Sequence, residues 1–278
     1  SSTEDDYGTS YYFRGNVENN YVTYANMCWR IVRVQGNGGI KLALADEDSP
    51  CSGGTYSPTN TVSGLIKDVN QEGYETFGLP FNYSLKGTVT VDDFNFETSN
   101  IKSVLNSWIN GGSYTFWDII NGDVSGTGTF TKHISEEDQE ILDEAVWCQD
   151  LTGRDYLDGA IEYPSYIKLR EENAPTLKCG YGEGLLKHTS KIGVLSAEEL
   201  VFAGFIVEQK NSDNYLINNA DAFWTISPVV SFYPEPYMPS VFLTNSSGYI
   251  DIAVISGDSS ASITSVRPSV VLKGMVKA

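Results

Sequence analysis

The last third of the chain offers little besides strands. Five short β-prone runs follow one another, at 214–218, 223–226, 241–244, 249–255 and 266–272. Asn245-Ser246-Ser247-Gly248 supplies the turn residues between two of them. In the last run Val266, Val270 and Leu272 are expected on one face, with Arg267, Ser269 and Lys273 on the other. Strands of this kind have to bury a face against something earlier in the chain. The best earlier candidate is CWRIVRV (28–34) followed by GIKLALA (39–45), where Ile40, Leu42 and Leu44 share a face. Gln35-Gly36-Asn37-Gly38 between them brings residues that tolerate positive φ, so a hairpin is expected. The closing strands are expected to return onto this hairpin and form one domain over 1–278.

The middle of the chain adds helices. Ile101, Val104, Leu105 and Trp108 form an i, i+3, i+4, i+7 stripe, capped by Ser99 or Asn100 and ended by Gly111-Gly112. A second short helix is expected at 115–121, before a Gly/Ser/Thr linker at 122–128. Ser135 caps a third, whose first turn is Glu136-Glu137-Asp138 and whose apolar face is Ile141, Leu142, Ala145 and Val146. Residues 149–190 read as a long ordered loop, and 191–195 as a strand. Ser196 and Glu199 then form a capping box for a short helix ending at Gly204. Strands are also expected at 11–17 and 21–24. Residues 1–10 read as a frayed polar tail, and 61–97, which holds GTVTV (87–91), as an insertion. The class is α+β.

Charge excludes more than it assigns. Eighteen basic against 36 acidic residues leave −18, a field that repels phosphate backbones and anionic lipid. Nucleic acid and membrane surfaces are therefore not expected partners; cations, neutral sugars or a basic protein are compatible, and solubility alone is the favoured reading of the charge. No run approaches the roughly 20 apolar residues of a membrane helix. The opening Ser1-Ser2-Thr3-Glu4-Asp5-Asp6 reads as an extracellular segment from which a signal or N-terminal anchor has been removed. The four cysteines, Cys28, Cys51, Cys148 and Cys179, make no CxxC pair, so a zinc site is not indicated. In an exported chain they suggest two disulfides. Of three pairings, Cys28–Cys51 with Cys148–Cys179 is favoured because each closes a local loop; four buried thiols are the alternative.

No catalytic constellation is evident. His133 and His188 lack a Ser/His/Asp or HExxH context and read as surface residues. Arg267, on a strand near the core, reads either as a buried lock on carboxylates or carbonyls or as a ligand contact. The binding candidate is the loop from Phe232 through Tyr233 and Tyr237 to Met238, where Pro residues stiffen a row of aromatic rings; the same rings can pack back on the domain. Asn211, Asp213, Asn214 and Asp221 offer oxygen ligands for calcium, as do Asp46, Glu47 and Asp48. Turn chemistry accounts for these residues with no metal, and no cofactor is required.

YYFRGNV (11–17), YVTYANMCWRIVRV (21–34), WCQD (147–150), LKCG (177–180), KIGVLSAEELVFAG (191–204), FWTISP (223–228) and SVRPSVVLK (265–273) together resemble a large family of exported, often prepilin-like surface proteins of Gram-positive gut bacteria. The ending is also similar to the C-type-lectin-like fold shared with formylglycine-generating enzymes. That resemblance implies two small antiparallel sheets with flanking helices and long loops. It does not bring the enzymes' chemistry, because their reactive cysteine pair lies late in the chain and no Cys follows Cys179 here. The resemblance implies no settled activity; taken with the acidic surface, the even cysteine count and the absent catalytic set, the expected function is a non-enzymatic cell-surface adhesion or recognition domain for a glycan or protein. The alternatives are a structural pilin-like subunit, or an enzyme acting on envelope polysaccharide or peptide with carboxylates from 136–144 or the 149–190 loop.

Overall fold

The computed structural model describes residues 1–47, 49–51, 95–118, 124–129, 134–152, 154–155, 161–180, 185–211, 213–217, 223–232, 238–245, 248–254 and 266–274. In chain order the strands are β1 Ser2–Asp5, β2 Gly8–Tyr12, β3 Tyr21–Tyr24, β4 Met27–Val34, β5 Ile40–Asp46, β6 Ser113–Asp118, β7 Val124–Thr129, β8 Ala145–Asp150, β9 Arg154–Asp155, β10 Ile161–Glu162, β11 Leu185–Ser190, β12 Ile192–Gly193, β13 Phe223–Phe232, β14 Met238–Thr244, β15 Ile250–Val254 and β16 Ser269–Leu272. The helices are α1 Asn100–Asn110, α2 Glu136–Gln139, α3 Pro164–Tyr166, continued by a wider turn Ile167–Glu171, and α4 Ala197–Phe202. A seven-stranded sheet runs β1-β2-β4-β5-β16-β12 with β3 also on β4, and a five-stranded sheet runs β15-β14-β13-β10-β9. β8–β11 and β6–β7 form separate pairs. Every named pair is antiparallel, so the mixed, mainly antiparallel class expected from the sequence is the one observed.

The hairpin expected at 28–45 is β4–β5, with Arg33 opposite Lys41. β16 lies beside β5, Val270 opposite Leu42, which returns the last strand to the first hairpin. Both faces of this sheet are covered. Trp29, Leu42 and Leu44 join one apolar cluster with α1 and Trp147. Val32 and Ala43 join another with Leu200, Phe205, Tyr215 and Phe242. Double coverage explains why CWRIVRV does not alternate in polarity. It also puts Ser269 in the interior, its hydroxyl donating to the Leu42 carbonyl at 2.6 Å.

α1 keeps its sequence signature. Ser99 accepts from the Lys102 N–H, and Ile101, Val104, Leu105 and Trp108 are all buried. α4 carries the full capping box and gives way to Gly204 at φ +106. Both disulfides form as favoured, Cys28–Cys51 and Cys148–Cys179, which agrees with an oxidising, extracellular setting. No helix among the described residues is long and apolar enough to cross a membrane.

Several expectations are corrected. Residues 1–10 are not a frayed tail: β1 and β2 form a hairpin, and Asp5 holds the Tyr7 N–H at 2.9 Å in the turn. The run at 113–118 is a strand, as its Tyr, Thr, Phe and Trp favour. The helix from Ser135 ends at Gln139, leaving Ile141 49% exposed. From Ala145 the chain is β8, alternating in burial and paired with β11, because Ala145, Trp147 and Gln149 satisfy a period of two. Residues 149–190 are not one loop but hold β9, β10, α3 and β11. Finally, 214–217 is a turn: Asn214 accepts the Leu216 N–H and donates to the Ala203 carbonyl. Most of 61–97, with Asp48, His133, Asp221, Tyr233 and Tyr237, lies outside the described residues.

Candidate functional site

Two concavities of opposite character open on the surface. The first is a cleft of about 70 Å³ beside β8, the Cys148–Cys179 bridge and the first turn of α4. Its floor follows from the β4–β5 register. Arg33 and Lys41 are cross-strand neighbours, two buried cations side by side, and they persist only with carboxylate partners. Glu199, the capping-box residue of α4, supplies one. It accepts from Lys41 Nζ at 2.7 and 2.8 Å and from Arg33 Nε at 3.0 Å. Asp5 takes the other side of Arg33 at 2.7 Å. Lys41 also lies 4.2 Å above the Trp147 ring.

Burial pushes the Lys41 amine down to about 8; Glu199 opposes that shift and Arg33 adds to it. Glu199 is also buried, which works against its ionisation, yet Lys41 and Arg33 hold it below the usual carboxylate range. Next to it Glu198 accepts from Ser165 Oγ at 2.6 Å and Ser227 Oγ at 3.0 Å. Ser227 Oγ in turn accepts the Ala197 N–H. Each charge on the floor thus meets another group of the same protein. Gly193 makes this packing feasible, since a Cβ there would sit 2.3 Å from the Trp147 ring.

The second concavity is a groove of about 230 Å³ along β15, lined by Tyr249, Asp251 and Ile252 on one side and Val207, Arg170 and Glu208 on the other. Arg170 and Glu208 pair across its wall. Buried Phe242 and Ile250 form its base. β15 ends its sheet among the described strands, and the Ile252 N–H is held by its neighbour's Asp251 Oδ1 at 2.8 Å. The groove therefore combines an aromatic ring, an apolar floor and hydrogen-bonding groups open to water. Such a mixture suits a sugar or a peptide side chain.

Of the described residues singled out as ligand or calcium contacts, none lines either concavity, whereas Cys148 and Cys179 border the cleft. Arg267 is buried, donating to the carbonyls of Leu44 at 2.8 Å and Leu216 at 2.5 Å, with its guanidinium 5.2 Å from the Phe223 ring centroid. Desolvation, then repulsion from Arg30, pushes it down to about 10. Phe232 pairs with Met238 where β13 meets β14. Asp213 is exposed, while Asn214 spends its amide on the turn described above. Among the described residues one group of possible metal donors is found, Asp6 with Cys148 and Cys179, and its sulfurs are joined.

His188 is not a surface residue. It is buried on Phe96, its Nδ1 3.6 Å from Glu97, and burial lowers its pKa. The carboxylates at Glu136, Glu137, Glu140 and Glu144 are exposed, and among the described residues the buried ones are Asp5, Glu162, Glu198 and Glu199. The cleft has one signal in the sequence: Arg33 and Lys41 interrupt apolar β-runs, and such cations need a partner. No protein-family model, curated protein or solved structure matches the chain.

Proposed function

We propose that this chain is an extracellular recognition domain that binds a glycan or protein ligand at the β15 groove. The observation that supports this is the groove itself: an aromatic side chain, paired polar groups and an apolar floor, open to solvent. On the same reading the domain is C-type-lectin-like in build and belongs with exported, prepilin-like surface proteins. Calcium is an optional ligand. The test is a glycan array read with and without calcium, using wild type and Tyr249→Ala. Loss of signal in the variant supports the groove, and equal signal in both removes it.

A second reading has one observation in its favour. An amine pushed down to about 8 inside a cleft, as at Lys41, is a feature of enzymes that use lysine as base or nucleophile. Under this reading the substrate is envelope polysaccharide or peptide, and Lys41→Met abolishes turnover.

A further inference from the structure

We propose that the Cys148–Cys179 disulfide is the oxidised form of a thiolate metal site. After reduction, the two sulfurs and the Asp6 carboxylate bind one divalent cation of the zinc and cadmium class. The donor atoms of these three residues lie within 4.8 Å of one another. They arrive from separate elements: Cys148 from β8, Cys179 from the strap that follows the 167–171 turn, and Asp6 from the β1–β2 turn.

Asp6 is held in place by the backbone of its neighbour, accepting the Cys179 N–H at 3.0 and 3.2 Å. One oxygen can keep this bond while the other turns to the ion, the outer hydrogen bonding that orients metal ligands. The strap has further anchors besides the sulfur bridge. Leu177 bridges Asp5, Ala174 N–H donates to the Lys168 carbonyl, and Asp5 is itself tied to Arg33. Cutting the S–S bond therefore leaves the three donors near one another.

Metal–sulfur bonds of about 2.3 Å in a tetrahedron place the sulfurs roughly 3.8 Å apart. The two Cα atoms, 5.5 Å apart, accommodate that separation. Both cysteines line the cleft, which gives an ion its entry path and leaves room for a water in the fourth position. Two sulfurs and one oxygen favour zinc or cadmium over calcium or magnesium, and a chain of −18 attracts cations.

The chemistry balances with one external reagent, a small-molecule or protein dithiol. It delivers two electrons and two protons, the S–S bond breaks to two thiols, and the dithiol leaves as its own disulfide. The cation then displaces the two thiol protons, so binding strengthens as pH rises.

The experiment uses the full chain, reduced under non-denaturing conditions with a phosphine and titrated anaerobically with Cd²⁺. Near-ultraviolet circular dichroism reports retention of the fold. The expected result is a thiolate-to-cadmium charge-transfer band saturating at one ion per reduced chain and absent from the oxidised chain. Asp6→Asn weakens binding by about tenfold or more, Cys148→Ser abolishes the band, and the Cys28→Ser/Cys51→Ser double variant keeps it. A folded, reduced chain with no band overturns the proposal. So does a band that survives Cys148→Ser or depends on Cys28 and Cys51. If the cysteine variants do not fold, unchanged affinity in Asp6→Asn overturns it alone. None of these outcomes touches the β15 groove.

Discussion

The cleft and the groove differ in where their polar groups point. In the cleft, Arg33 and Lys41 are bonded to Glu199 and Arg33 also to Asp5, while Glu198 is bonded to two serines. Such a floor is rigid and has little to offer a ligand without first breaking an internal bond. In the groove, Arg170 and Glu208 are paired and Asp251 holds the Ile252 N–H, but Glu208 and Asp251 are exposed and Tyr249 is half-buried, at an edge open to solvent. A buried charged cluster is therefore weak grounds for a binding site when its members satisfy each other, and a plainer opening can be the better candidate.

The strongest way to break this contrast is Glu199→Gln. It leaves Arg33 and Lys41 buried around a neutral amide, and removing one partner of a buried ion pair costs about 3–5 kcal/mol. Equilibrium denaturation should show that loss; a change below about 1 kcal/mol would mean that Glu199 is not the keystone of the floor. Gly193→Ala comes next. Its Cβ meets the Trp147 ring at 2.3 Å, and forcing atoms into a filled core costs about 1–3 kcal/mol. Denaturation midpoint and Trp fluorescence both report it.

The dependence on pH sharpens the account of the floor. The Lys41 amine sits near 8 when folded, against an ordinary lysine value of 10.5. Between those values the unfolded chain binds more protons, so this group's contribution grows more favourable as pH rises through the window. Glu199 has the opposite end of the scale. Its folded pKa is depressed, so its contribution is present above the unfolded carboxylate pKa and disappears as pH falls through the lower folded value. Comparing stability against pH for wild type and Lys41→Met isolates the first effect: the wild type should gain on the variant from pH 8 upward, and parallel curves would show an unperturbed lysine. The smallest effect on stability is expected for Tyr249→Ala, within roughly 0.5 kcal/mol as for ordinary surface positions. That variant should lose ligand and keep its melting curve.

How much of this was readable in the chain depended on distance. The β4–β5 hairpin, the Ser196 capping box, the α1 stripe and the disulfide pairing all rest on residues close in sequence, and all were legible. The 135–150 segment misled because Leu142 and Ala145 fit a helix period while Ala145, Trp147 and Gln149 fit a strand period. Only pairing with β11, some forty residues away, decides it. The cleft was hidden for a stronger reason. Glu199 lies 158 positions from Lys41 and 166 from Arg33, and nothing in either neighbourhood names the other. The groove is equally non-local, joining the turn after α4, the 167–171 turn and β15.

The most direct measurement of the central claim is ligand binding on one array by three proteins: wild type, Tyr249→Ala and Lys41→Met, each shown to be folded. The account predicts signal from wild type and Lys41→Met and none from Tyr249→Ala. Signal retained by Tyr249→Ala and lost by Lys41→Met would place recognition in the cleft and contradict it.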